Sequence, residues 1–224
     1  MKRAGPAVTK TARMTKPGLM VAAGLAALGS VSAGNLNPPG APAPTMVTLQ
    51  QLYDGQHPGS DTCFDNVGTN RFVDCGSTGL GTSNGTVKDI TTGLVWLKNA
   101  SCFGLTNWAD ANIKAAALAS GQCGLTDGSK AGDWRLATKD EWMAIFRPGC
   151  YPSPGGPTIT DKTGNACYAG GTPWATNVQS ADYWSSTTNA GMPTTAWGLD
   201  LFSGNNSGGV KTLNLYAWPV RAGR

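Results

Sequence analysis

Apolar and polar positions alternate most clearly from residue 86 onward. Thr86-Val87-Lys88-Asp89-Ile90 and Leu94-Val95-Trp96-Leu97-Lys98 flank Thr91-Thr92-Gly93, a strand–turn–strand pattern. The period then changes. Trp108, Ala111, Ala115 and Leu118 recur at helical spacing, which predicts a helix over 107–119 with Thr106 as its cap and Gly121 as its stop. Thr138-Lys139-Asp140-Glu141 is a capping box opening a second helix, which carries Trp142, Ile145 and Phe146 and ends before Pro148. Residues 148–181 show no period and are rich in Gly, Pro, Thr and Asn. Strand-like runs return at Tyr183–Thr187, Thr195–Phe202 and Val210–Arg221, with Ser203–Gly209 read as the turn between the last two. This order predicts an α+β domain over 86–224 with two helices, short antiparallel sheets and a long irregular loop. No internal repeat is visible.

The first 85 residues read differently. Lys2, Arg3, Lys10, Arg13 and Lys16 precede the apolar run Leu19–Gly29, and Val31-Ser32-Ala33 supplies a small-x-small site. Residues 1–33 thus read as a secretory signal, the apolar run being too short to span a bilayer. A Pro/Gly-rich linker is expected over 34–45 and an irregular, disulfide-pinned lead-in over 46–85. The signal also changes the charge. Five of the 17 Lys and Arg lie in it, leaving 12 against 13 Asp and Glu. The overall +4 therefore belongs to targeting, and no nucleic-acid partner is expected. No membrane span is expected to remain after cleavage, so the chain is read as exported: periplasmic, secreted or on a cell surface.

Six cysteines follow the signal, an even number in an exported chain. Their spacing suggests three local bridges, Cys63–Cys75, Cys102–Cys123 and Cys150–Cys167. Each would contribute about 3 kcal/mol in the chain-entropy model. A metal cluster is the weaker reading, since the chain has no C-x-x-C and a single histidine.

The residues that could carry catalysis are few. His57 sits in the Gly/Pro stretch His57-Pro58-Gly59, and no G-x-S-x-G elbow accompanies it. Glu141, the one glutamate, is explained by its capping box. The expectation is a protein that is not an enzyme and needs no cofactor. Calcium is the one ion that the Asp- and Asn-rich loops suit, as a structural ion, although no D-x-[DN]-x-[DN]-G loop is present.

Eight tryptophans stand at 96, 108, 134, 142, 174, 184, 197 and 218, most of them in expected elements, where core packing is the default. Trp174 lies instead in the long loop near Asn177. An exposed indole with neighbouring Asn177, Asp182 and Asn189 would suit a sugar, the ring stacking on its face and the polar groups binding its hydroxyls; the competing reading, and the favoured one, is an indole that plugs its own loop. Asp133, Trp134, Arg135, Trp184 and Arg221 are read as structural. Arg135 is read as buried in an apolar setting and clamped by carboxylate or carbonyl oxygens, and Arg221 as similar.

Taken together, Val87–Trp96, Cys102-Phe103-Gly104, Trp108–Ala111, Cys123–Ser129, Gly132–Thr138, Tyr183–Thr187, Ala196-Trp197 and Trp218–Arg221 resemble the C-terminal domain family of Legionella collagen-like proteins. The family usually has Pro where Ala137 stands. The resemblance implies a C-type-lectin-like fold in an exported bacterial protein, often an adhesin or surface module. The chain lacks both the collagen-like repeat and the Glu-Pro-Asn and Trp-Asn-Asp sugar–calcium motifs of true C-type lectins. The expected function is a non-catalytic binding or adhesion module that recognises a glycan or a surface protein through residues 150–182. The alternative is a structural or assembly subunit of a surface layer or appendage. An enzyme of the formylglycine-generating type, which shares a related fold and needs a reactive cysteine pair, is the third reading.

Overall fold

The computed structural model describes Asp61, Cys63, residues 68–76 and residues 83–224. The expected signal, the linker and His57 lie outside the described residues. Among those described, ten strands and two helices follow in the order β1 (Phe72–Cys75), β2 (Thr86–Asp89), β3 (Leu94–Leu97), β4 (Leu105–Thr106), α1 (Trp108–Ala117), β5 (Arg135–Leu136), α2 (Lys139–Ile145), β6 (Asp182–Thr188), β7 (Thr195–Asp200), β8 (Asn205–Val210), β9 (Leu215–Tyr216) and β10 (Pro219–Ala222). They form two five-stranded sheets, β1-β2-β3-β10-β5 and β4-β9-β6-β7-β8. Every pairing is antiparallel except β6 with β9. This is the expected α+β arrangement of two helices and antiparallel sheets.

Local chemistry accounts for the element ends. The β2–β3 turn is held by Asp89, whose carboxylate accepts from the Thr91 N–H at 3.0 Å and the Thr92 hydroxyl at 2.8 Å. Asp89 is fully buried, and Arg71 neutralises it through two hydrogen bonds of 2.9 and 2.7 Å. The cap of α1 is Asn107, not the expected Thr106. The Asn107 side chain accepts from the Asp110 N–H, while Thr106 belongs to β4. The capping box of α2 forms as expected, with Thr138 and Glu141 satisfying each other's backbone N–H.

Two further expectations are corrected. The lead-in is not irregular throughout, because Phe72–Cys75 pairs with β2 as the outer strand of the first sheet, and Phe72 and Cys75 are fully buried. Ser203–Gly209 is not a turn. Residues 205–210 form β8, a six-residue ladder against β7, and the turn contracts to 201–204. Its glycines were misleading, since at Gly209 a Cβ would stand 3.1 Å from the Trp184 ring. Glycine there lets the strand cross the indole, a packing demand that the local sequence does not display.

The core lies between the sheets and is largely aromatic. Trp174 stacks on Phe72 at 4.1 Å and on Trp218 at 5.1 Å between ring centres. Trp96 meets Trp142, Trp174 and Trp218 edge-on, and Tyr183 closes the group against Trp142. The buried indoles of Trp174, Trp184 and Trp218 donate to the carbonyls of Thr160, Thr106 and Leu97, whereas the buried N–H groups of Trp96 and Trp134 have no hydrogen-bond partner among the described residues. A smaller cluster of Ala111, Ala115, Leu136, Trp184, Ala196 and Ala217 seats α1 on the other face of the second sheet.

Candidate functional site

The cysteines pair as their spacing suggested, Cys63–Cys75, Cys102–Cys123 and Cys150–Cys167, and none is left free. The Cys150–Cys167 bridge sits inside the long loop, which is packed rather than projecting. Ile159, Thr158, Thr160, Asp161 and Trp174 in that segment are all buried. Asp161 organises it. Its Oδ1 accepts from the Thr163 hydroxyl at 2.8 Å and from the N–H groups of Ala166 at 3.1 Å and Asn165 at 3.3 Å. Burial pushes the Asp161 carboxyl up, but these hydrogen bonds outweigh it and hold it below its ordinary value.

The proposed ligand set is not one site. Trp174 is buried, with 2% of its surface exposed, and is stacked on both sides, so its ring is not available to a ligand. It lies in a loop by sequence yet fills the core, because the loop folds back between the sheets. Asn177 is exposed, in the left-handed region at φ 55°, and its amide donates to Asn99 Oδ1 at 3.2 Å. Asp182 begins β6, whereas Asn189 follows its other end, about 20 Å away at the rise of an extended strand. Burial and the facing Asp200 carboxylate raise the Asp182 carboxyl above its ordinary value.

The residues read as structural divide as well. Arg221 is the buried arginine. Its guanidinium is 2% exposed and donates to Asp61 at 2.5 Å and to Asp127 at 3.1 and 3.3 Å, while lying 5.3 Å from the centre of the buried Trp134 ring. It ties together the lead-in, the 120s loop and the last strand. Arg135 is not buried, a correction to the apolar setting expected for it. Its side chain is 46% exposed and makes a two-pronged pair with Glu141 at 2.7 and 2.6 Å. The reason lies in strand order. Arg135 stands on β5, the two-residue outer strand of the first sheet, whereas Arg221 stands on β10, which has β3 on one side and β5 on the other. The Arg135 guanidinium is raised above its ordinary value by the bond to Glu141. Burial pushes the Glu141 carboxyl up, but hydrogen bonds from Arg135 and Thr138 prevail and lower it. Asp133 caps its own turn through the Lys130 N–H at 2.9 Å and pairs with Arg224.

The surface with binding chemistry lies on the second sheet, on the face that carries α2. Trp197 is half-buried there, and the Lys139 ammonium sits 3.7 Å above its ring centre. Four residues further along α2, Met143 accepts a weak contact from the Asn206 amide at 3.8 Å. The spacing has a simple origin. Residues 139 and 143 share a helix face, and Trp197 and Asn206 are diagonal neighbours across β7 and β8. Asn206 Oδ1 is enclosed without a hydrogen-bond partner. Beyond Trp197, Gly208 carries no side chain, and the Asn189 amide nitrogen and Thr195 hydroxyl border that gap, within 3.6 and 3.8 Å of where a Cβ would stand. Asn189 alone of the expected ligand residues falls here. In the sequence Trp197 reads as core and Asn206 as turn, so neither signals a site. Lys139 and Met143 on α2 gave no individual signal.

Among the described residues no group of three or more His, Cys, Asp or Glu side chains converges as a metal site. Among the described residues no helix is long and apolar enough to cross a membrane, and the three disulfides fit an extracellular or exported protein. The model of one family, the Lcl C-terminal domain, matches residues 85–221. Comparison with curated proteins finds no match.

Proposed function

The chain belongs to the Lcl C-terminal domain family, and from that premise we propose that it is an exported, non-catalytic binding module of C-type-lectin-like architecture, meeting a glycan through the α2–β7–β8 face. Membership suggests a surface-associated domain. The architecture is supported by the two helices, the two sheets and the return of β10 between β3 and β5, which closes the domain near its start. The carrying observation is Trp197, a half-buried indole bordered by the amides of Asn189 and Asn206, the hydroxyl of Thr195 and the ammonium of Lys139. An aromatic surface with convergent hydrogen-bonding groups is the chemistry that a sugar ring requires. The near-neutral charge after the signal supports a neutral sugar over a polyanion. Pairing of every cysteine removes the thiol that an oxidase of the formylglycine-generating type would need. This reading gives the protein no cofactor.

The test is a glycan array with the full chain, followed by titration of any hit against Trp197→Ala. The expected result is a hit weakened about tenfold or more, equivalent to about 1.4 kcal/mol, with the melting temperature nearly unchanged. Binding that survives Trp197→Ala unaltered would remove this face from consideration. Capture of a surface protein without any glycan hit would favour a protein ligand instead.

A further inference from the structure

The second sheet ends on β8, six residues long, and among the described residues no strand pairs with its outer side. The other outer strands are protected. β4 and β5 have two residues each, and β1 is covered by the Cys63 bridge at Cys75 and by the hydrogen bonds of Arg71 and Phe72 to Lys162. Natural sheet edges are usually blunted by Lys, Pro or inward charges. β8 reads Asn205-Asn206-Ser207-Gly208-Gly209-Val210 and carries none of these.

Both ends of this strand expose apolar side chains. At the Asn205 end lies Phe202, 55% exposed, with its ring 5.7 Å from that of Tyr151, which is 44% exposed. At the Val210 end lie Val210, Leu213 and, on the β6–β7 turn, Met192, each about half exposed or more. The two patches are thus separated by the length of β8, about 20 Å.

We propose that β8 pairs antiparallel with β8 of a second copy of this chain, joining two five-stranded sheets into one. The occupant follows from symmetry. A two-fold axis through the strand pair lays the Asn205 end of one copy on the Val210 end of the other, so Tyr151 and Phe202 meet Met192, Val210 and Leu213 twice over. From Leu201 to Val210 the chain has no charged residue, so nothing along the paired strands repels its copy. That axis stands perpendicular to the sheet and leaves both α2-bearing faces on one side. On the reading of the Trp197 face given above, the pair would then hold a ligand-coated surface at two points and gain avidity. The pairing itself does not depend on that reading.

The experiment is sedimentation equilibrium of the full chain without ligand, compared with Gly208→Lys and Val210→Asp. Both changes are expected to leave the fold intact, because a Cβ at Gly208 makes only ordinary contacts and Val210 is exposed. The expected result is a concentration-dependent dimer in the wild type and a dissociation constant raised roughly tenfold or more in each variant, with unchanged near-ultraviolet circular dichroism. A wild type that stays monomeric at its highest soluble concentration would overturn the proposal. So would a dimer that both variants retain. If either variant loses its fold, Phe202→Asp at the opposite end of the strand provides the same reading. On a surface coated with a glycan hit, Val210→Asp is expected to lose avidity while keeping wild-type affinity for the soluble sugar. Loss of both would count against the Trp197 face and leave the pairing to be judged by sedimentation.

Discussion

Trp174 and Trp197 show how two regions of one domain use the same side chain in opposite ways. Trp174 comes from a segment without regular structure, yet it is sandwiched between Phe72 and Trp218 and donates to the Thr160 carbonyl. Trp197 comes from the middle of a six-residue strand, yet it is only half-buried, under a lysine. Position in an element therefore does not decide burial. What decides it is whether a second layer covers that point of the sheet. The region around Trp174 is covered by both sheets and by a loop pinned at Cys150–Cys167. The region around Trp197 is covered only by the seven-residue helix α2, which leaves the far end of the hairpin bare.

The most direct way to break this comparison is to truncate both rings. Trp174→Ala is expected to cost about 3–5 kcal/mol in urea unfolding, the range for large aromatic side chains deleted from a core. Trp197→Ala is expected to cost under about 1 kcal/mol, as a change at a partly exposed position. Equal costs would mean that the two regions are equally covered. The arginines sharpen the same contrast. Arg221→Ala strands the buried carboxylates of Asp61 and Asp127 and is expected to cost about 3–5 kcal/mol. Arg135→Ala releases a pair that is nearly half exposed and is expected to cost about 1 kcal/mol or less. A reversal of that order in chemical denaturation would refute the assignment of the buried role to β10 and the exposed one to the outer strand β5.

The bridges come next. Cys102→Ser with Cys123→Ser is expected to destabilise by about 2–5 kcal/mol, and non-reducing peptide mapping of the wild type should return the three local pairs. The smallest effects are electrostatic. The Glu141 and Asp161 carboxyls lie below their ordinary values, so their contribution is complete above the unfolded-state values and is lost as the pH falls through the folded ones. Asp182 has the opposite sign. Its carboxyl is raised, so its contribution is present at low pH and is lost as the pH rises through the folded value. Glu141→Gln is expected to flatten the acid limb of a melting-temperature profile while costing about 1 kcal/mol through the weakened cap. Asp182→Asn is expected to be neutral or slightly stabilising at neutral pH. Destabilisation by Asp182→Asn would show that its charge is needed.

Much of the frame was legible from residue order because it depends on local chemistry. The β2–β3 turn follows from Asp89-Ile90-Thr91-Thr92-Gly93, and the α2 start from Thr138 and Glu141. The three bridges follow from cysteines close in the chain. The expected α1 cap falls one residue early, since Thr106 and Asn107 both suit the position and only the pairing of β4 with β9 separates them.

What residue order could not supply is contact between distant segments. Phe72 stacks on a ring 102 positions later, and Gly209 is needed because Trp184 lies beneath it. Arg221 finds Asp61 across 160 positions, whereas Arg135 turns outward on the neighbouring strand. The sequence by itself determined the α2 cap, the β2–β3 turn, the disulfides and the helix faces, because those depend on residues close together in the chain. Only the tertiary structure decided which indole is covered, which guanidinium is buried and which strand remains an edge, because burial depends on what the rest of the chain lays over each position.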